Sequence, residues 1–246
     1  MKKLLTLRFV GTKYKGWQAQ VGGPQTVQTV MNAALFAIFK TQIDITGCSR
    51  TDSGVHALKY FAHVKTPTKI DNERLVLALN AHLPEDISVI GCIDVSEDFH
   101  ARYSVKSKTY LYKFDLSKTQ DVFLKERAFW VKGKIDIEKM RQAAQVFVGK
   151  HDFAACCKAK SCPEDSVRVV HRVEVKRNES TVEFRINADG FLHNMVRIIG
   201  GIVLSCGLSK LSVLEVEKFL KAAKHESLAQ TLPAHGLYLE EVEYGE

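Results

Sequence analysis

Residues 47–57, Gly47-Cys48-Ser49-Arg50-Thr51-Asp52-Ser53-Gly54-Val55-His56-Ala57, gather a guanidinium, a carboxylate and an imidazole within seven residues around a glycine. A carboxylate needs no base to be ionised at neutral pH, so Asp52 offers a ready negative charge flanked by Arg50 and His56. The same residue types also close ordinary turns, because Asp and Ser hydrogen-bond their own backbone and Gly accepts positive φ. Two other residues have uncommon settings. Arg197 stands among Val196, Ile198 and Ile199, where a cation either snorkels to solvent or points inward toward a buried anion. Tyr110 lies in an alternating stretch and brings a flat π face with a hydroxyl, or else serves as a core tyrosine. His151, Cys156, Cys157 and Cys162 are potential zinc ligands, but no C-x-x-C pair accompanies them. Reduced thiols without metal are the expectation there.

The charge has a pattern. The chain has 246 residues, with 35 Lys+Arg against 28 Asp+Glu for a formal +7. Four of those acids sit in the last seven residues, EEVEYGE, so residues 1–239 set 35 basic against 24 acidic residues, +11. Residues 99–118, FHARYSVKSKTYLYKFDLSK, carry five Lys/Arg, one acid, and the alternating aromatics Tyr110, Tyr112 and Phe114. A basic strand with interleaved rings suits a polyphosphate backbone and flat bases, and equally a solvated face over an aromatic core. Hydrophobic content of 46% with only 5 Pro and 15 Gly excludes disorder and low-complexity character. No apolar run reaches the roughly 18–20 residues of a membrane span. The N-terminal MKKLLTLRF reads as a first strand, not a signal peptide, and scattered cysteines fit a cytoplasmic protein.

The elements that must position these groups alternate between strand and helix. Strands are expected at 4–10, 43–47, 59–65 and 87–95, with helices over 26–39 and from an Asp71 N-cap to His82. The second half repeats this grammar, with strands at 107–115, 167–176, 181–188 and 237–243. Its helices open at Asp136, with Met140, Ala143, Ala144 and Phe147 inward, and cover about 192–206 and 212–223. The expected class is α+β: two related subdomains, 1–103 and 104–246, with antiparallel or mixed sheets forming a central cleft.

The ordered set of short sequences resembles the tRNA pseudouridine synthase A family. Residues 49–57 match the family loop G-R-T-D-A-G-V-H-A except at two places. Tyr14-x-Gly16-Trp17-Gln18, Phe99-His100-Ala101-Arg102, Met195-Val196-Arg197 and Gly236-Leu237-Tyr238-Leu239 are similar to further family stretches in the right order. The resemblance implies a cofactor-free isomerase that breaks the N1–C1′ bond of a tRNA uridine (positions 38–40 of the anticodon stem-loop) and rejoins the base through C5. Asp52 would be the nucleophile, a role open to carboxylates, whether at C6, at C1′ or through a glycal. Arg197 would be its cationic partner, and Asp52 the buried anion that Arg197 requires. Tyr110 would stack on the target base and help remove the C5 proton. Arg50 would fill the gap left by the extruded nucleotide, a place suited to a guanidinium. Leu237 would wall the pocket, and His56 and Arg102 complete the expected substrate-binding set. The implied partners are tRNA and a second copy in a homodimer, with neither metal nor membrane.

Two departures bear on that expectation. Ser49 and Ser53 replace the family's Gly and Ala, and a positive φ at position 49 would cost serine about 1 kcal/mol. Residues 154–166 depart from a hydroxyl-rich family segment. The competing reading is a divergent, non-catalytic or differently targeted RNA-binding relative of the same fold. A carboxylate facing RNA counts against it, since it would weaken backbone binding.

Overall fold

A computed structural model describes residues 1–223 and 227–245. Glu246, the last acid of the C-terminal run, lies outside them. Among the described residues, five α-helices and a mixed set of strands make an α+β fold. It divides into two compact units, Met1–Lys106 with Tyr238–Glu246, and Ser107–Leu237.

The first unit begins with β1 (Lys2–Phe9), whose Leu5, Leu7 and Phe9 are buried as their alternation requires. Helix α1 (Val27–Phe39) is opened by a capping box in which Thr26 and Thr29 exchange side-chain and backbone bonds. Its Val27, Met31, Ala34 and Leu35 are buried at helical spacing. Strands β2 (Ile45–Gly47) and β3 (His56–Lys65) follow, then α2 (Asn72–His82) and β4 (Ile87–Asp94). Asp71 caps α2 by accepting the Arg74 N–H at 3.0 Å, as its position in the sequence suggested. Strand β1 lies antiparallel between β3 and β4, and β2 pairs antiparallel with β3.

In the second unit, β5 (Val105–Asp115) runs antiparallel to β9 (Thr181–Ala188) and carries the two-residue β6 (Phe129–Trp130). Next to β9 come β8 (Val167–Asn178) and then β7 (Gly149–Asp152). The helices are α3 (Ile137–Gln145), α4 (Met195–Gly207) and α5 (Val213–Ala222). Asp136 caps α3 through the N–H groups of Glu138 and Lys139, and Ser212 and Glu215 form a capping box on α5. Met140, Ala143, Ala144 and Phe147 are all buried.

The sequence suggested two contiguous segments, 1–103 and 104–246, whereas the fold returns its last strand to the first unit. Strand β10 (Leu237–Tyr244) lies parallel to β3, with Tyr238 opposite His56 and Leu239 opposite Ala57. Backbone pairing of that kind leaves no trace in hydrophobic periodicity. Strands β6 and β7 also escape a periodicity reading, because β6 is two residues long and β7, GKHD, has no apolar alternation. Helix α4 starts at Met195 instead of near 192, since Asn194 takes a left-handed conformation at φ 64°.

Candidate active-site elements

In the first unit, the segment joining β2 to β3 carries Asp52, and residues 11–17 clasp it from behind. The Val55 N–H donates to the Asp52 carbonyl at 3.2 Å, closing a turn whose third residue, Gly54, has φ +83°. The Tyr14 carbonyl accepts the Gly54 N–H at 3.2 Å and the Ser53 hydroxyl at 3.4 Å. Gly16 has φ +82° and approaches so closely that a Cβ there would lie 2.2 Å from the Thr51 carbonyl oxygen. Upstream, the Tyr60 hydroxyl donates to the Ser49 carbonyl, and its ring stacks on Trp17 at 4.2 Å. The loop is therefore fixed on both sides of Asp52, whose side chain is half-buried. Neither Ser49 nor Ser53 is at positive φ, so the strain considered for position 49 is absent.

His56 opens β3 and is enclosed by its neighbours. It is 1% exposed, its Nδ1 accepts the Gly11 N–H at 3.1 Å, and its ring stacks on Tyr238 at 4.7 Å. The hydrogen bond to Gly11 and the ring on β10 tie the end of the Asp52 loop to two neighbouring segments.

Arg102 projects from a tight turn that follows β4 and is held by histidines. His63 Nδ1 accepts the Ala101 N–H at 3.1 Å, and His100 Nδ1 accepts the N–H groups of Arg102 (3.1 Å) and Tyr103 (3.2 Å). Tyr244 donates its hydroxyl to the Ala101 carbonyl at 2.8 Å. An imidazole nitrogen that accepts such a bond must be unprotonated. Burial, then the charge of Lys2 and the neighbouring His100, lower the His63 pKa from 6.5 to about 4. A base whose folded pKa is depressed contributes stability in full above its unfolded pKa, and loses it as the pH falls toward the folded value. The melting temperature is therefore expected to fall between pH 6.5 and about 4. His63→Asn, which keeps an acceptor for Ala101, should flatten that fall. An unchanged acid slope in the variant contradicts the assignment.

In the second unit, Tyr110 stands on β5 opposite Ile186, buried, with Phe191 edge-on at 5.0 Å. Two residues along the same face, Tyr112 donates its hydroxyl to the Pro233 carbonyl at 2.8 Å. Burial pushes the Tyr112 phenol well above its ordinary pKa, opposed by the charge of Arg197. Arg197 lies in the first turn of α4, at the positive end of the helix dipole, where a cation needs strong acceptors. Its Nε donates to the Leu232 carbonyl at 2.7 Å and its Nη1 to Asn194 Oδ1 at 2.8 Å. Gly201 lets that strap come close, since a Cβ there would lie 2.1 Å from the Gln230 carbonyl oxygen. The strap runs on through a 3-10 turn, Ala234–Gly236, to Leu237, which is buried at the start of β10.

The sequence pointed to Asp52, Arg50, His56 and Arg102, which belong to the first unit, and to Tyr110, Arg197 and Leu237, which belong to the second. It also singled out Tyr14 within a family-like stretch, but it did not point to Tyr60, Asn194 or Leu232, which help to hold them. A carbonyl acceptor such as Leu232 O has no side-chain signature and cannot be read from residue types. Among the described residues, no cluster of His, Cys, Asp or Glu is arranged to hold a metal ion. No disulfide joins the six cysteines. No helix among the described residues is long and apolar enough to cross a membrane.

Comparison with known proteins adds an independent line. A family model described as tRNA pseudouridine synthase matches residues 6–104 and 143–245. Its first segment contains Arg50, Asp52, His56 and Arg102, its second Arg197 and Leu237, and Tyr110 falls between the two. A tRNA pseudouridine synthase A of Bacillus pumilus is 42% identical over 99% of both chains. One from Acetivibrio thermocellus is 40% identical over 98% of both. Among solved structures, a Cbf5-Nop10-Gar1 complex aligns at TM-score 0.37 and 13% identity, over 82% of this chain and 45% of the matched one.

Proposed function

The chain belongs to the tRNA pseudouridine synthase family and isomerises uridine in tRNA to pseudouridine, and we propose that Asp52 is the nucleophile of that reaction. The observation that carries this reading is the Asp52 loop. Its Ser49 carbonyl accepts from Tyr60, its Gly54 N–H and Ser53 hydroxyl donate to the Tyr14 carbonyl, its His56 imidazole accepts the Gly11 N–H, and Asp52 itself is half-buried. A loop that served only as a turn would need no such clamp. Rigid placement of a reacting group is what raises effective molarity.

The isomerisation is balanced without any added reagent. The N1–C1′ bond breaks, a C5–C1′ bond forms, C5 loses its proton to water and N1 gains one. Asp52 acts as the carboxylate that carries the separated state. Arg197, oriented by Leu232 and Asn194, is the cationic partner proposed for Asp52 on the family resemblance. Tyr110 supplies the stacking face and a hydroxyl for the C5 proton, and Leu237 the apolar wall. Arg50 takes the place of the extruded nucleotide, which lowers the few kcal/mol that extrusion costs. The targets proposed are positions 38–40 of the anticodon stem-loop. A cytoplasmic homodimer is proposed on the family resemblance.

The test is nucleoside analysis of unmodified tRNA transcripts after incubation with the protein. Pseudouridine is expected in the anticodon stem-loop. Tight tRNA binding with no isomer on any transcript would favour the non-catalytic reading.

A further inference from the structure

A small cavity in the first unit has two cations in its wall and no acid. It holds about 100 Å³, and its lining includes Arg50 and Arg102 with Trp17, Gln18, Gln28 and Ser49. Among the described residues neither guanidinium forms an ion pair. Both residues are exposed, so their mutual repulsion is small in water, and an anion placed between them is attracted by both.

Both arginines are mounted on locked backbone. The Tyr60 hydroxyl holds the Ser49 carbonyl immediately before Arg50, and His100 Nδ1 holds the N–H of Arg102 itself. The remaining polar wall is also preset. Gln28 accepts from Gln18 Nε2 and from the Ala19 N–H, both at 2.8 Å, and donates to the Ile45 carbonyl at 2.8 Å. The volume is far below the roughly 300–1,000 Å³ of a pocket for a drug-sized ligand, yet it has room for several waters or one tetrahedral anion.

We propose that this cavity is a subsite for one backbone phosphate of the RNA, bridged by Arg50 and Arg102, beside the extruded nucleotide. The inference rests on the isomerase reading and adds a second task to Arg50. A guanidinium stacks by its plane and bonds phosphate by its edge, so one side chain serves both the gap in the stack and the phosphate next to it. Arg102 would then be a phosphate ligand with no base to read, fixing the register of the strand that carries the target.

The experiment combines variants of the full-length chain with tRNA in which single phosphates near the target uridine are replaced, one at a time, by neutral methylphosphonates. For the wild type, one position is expected to lose about tenfold in affinity, the size of a charge-assisted contact. That same position should cost Arg102→Gln no further loss, since the two changes remove one interaction. The salt dependence of binding should fall by about one phosphate contact in Arg102→Gln. Arg102→Lys, which keeps the charge but not the fork, should restore the salt slope. Losses that multiply at every position overturn the proposal. So does inorganic phosphate that binds the wild type and not Arg102→Gln, by phosphorus NMR, while no RNA position couples: the cavity would then be a site for free phosphate. Pseudouridine formation by the wild type in the absence of coupling sinks the subsite alone, whereas no pseudouridine on any tRNA sinks the premise.

Discussion

Asp52→Asn is expected to slow pseudouridine formation by at least about 10⁴-fold, the scale of loss when a carboxylate central to a catalytic mechanism is removed. The change is nearly isosteric and keeps the turn, because the bond that closes it runs from the Val55 N–H to the Asp52 main-chain carbonyl. What it removes is the charge and the ability to bond covalently to the substrate. Affinity for tRNA should not suffer, since a negative charge facing a polyanion opposes binding. Single-turnover rates at saturating enzyme separate the two effects. A variant that binds tRNA and retains more than about 1% of the wild-type rate would show that Asp52 is not the nucleophile.

Gly16→Ala should have the second largest effect, although Gly16 carries no functional group. An alanine there meets two penalties. At φ +82° an L-residue costs about 1–2 kcal/mol, and its Cβ would fall 2.2 Å from the Thr51 carbonyl oxygen, a backbone atom that moves only with the loop. The displaced Thr51 carries Asp52 with it. A misplacement of about 1 Å lowers rates on the order of 10²-fold, so the rate should fall by that factor while the variant stays folded. Gly22→Ala is the matched control. Gly22 has φ +64° but nothing within 4 Å of an added Cβ, so it bears the conformational cost without the displacement. Equal rates for the two variants would mean that the clasp behind the loop does not position Asp52.

Much of this arrangement is visible in residue order. Asp71, Asp136 and Ser212 mark helix starts because a short polar side chain ahead of an apolar-periodic run satisfies otherwise unpaired N–H groups. The alternating Tyr110, Tyr112 and Phe114 mark β5, and all three are buried on one face. The Asp52 loop stands out because Arg, Asp and His seldom crowd round a glycine without cause. The structural partner of His56 is not visible in residue type: its imidazole is a buried acceptor for the Gly11 N–H. The anchoring of Arg197 to the Leu232 carbonyl depends on backbone atoms 35 residues away. The return of β10 to β3 likewise depends on chain crossing that no local pattern encodes. The clamp on the Asp52 loop joins main-chain carbonyls and glycine clearances to the Tyr60 and His56 side chains, contacts between separate segments that residue order does not display.

The claim that this chain isomerises uridine through Asp52 is tested most directly by tritium release. tRNA transcripts labelled with tritium at uridine C5 are incubated with the wild type and with Asp52→Ala under conditions where both bind. The wild type should release label into water as the C5–C1′ bond replaces the N1–C1′ bond, and the variant should release none above background. Release that persists in Asp52→Ala would contradict the account.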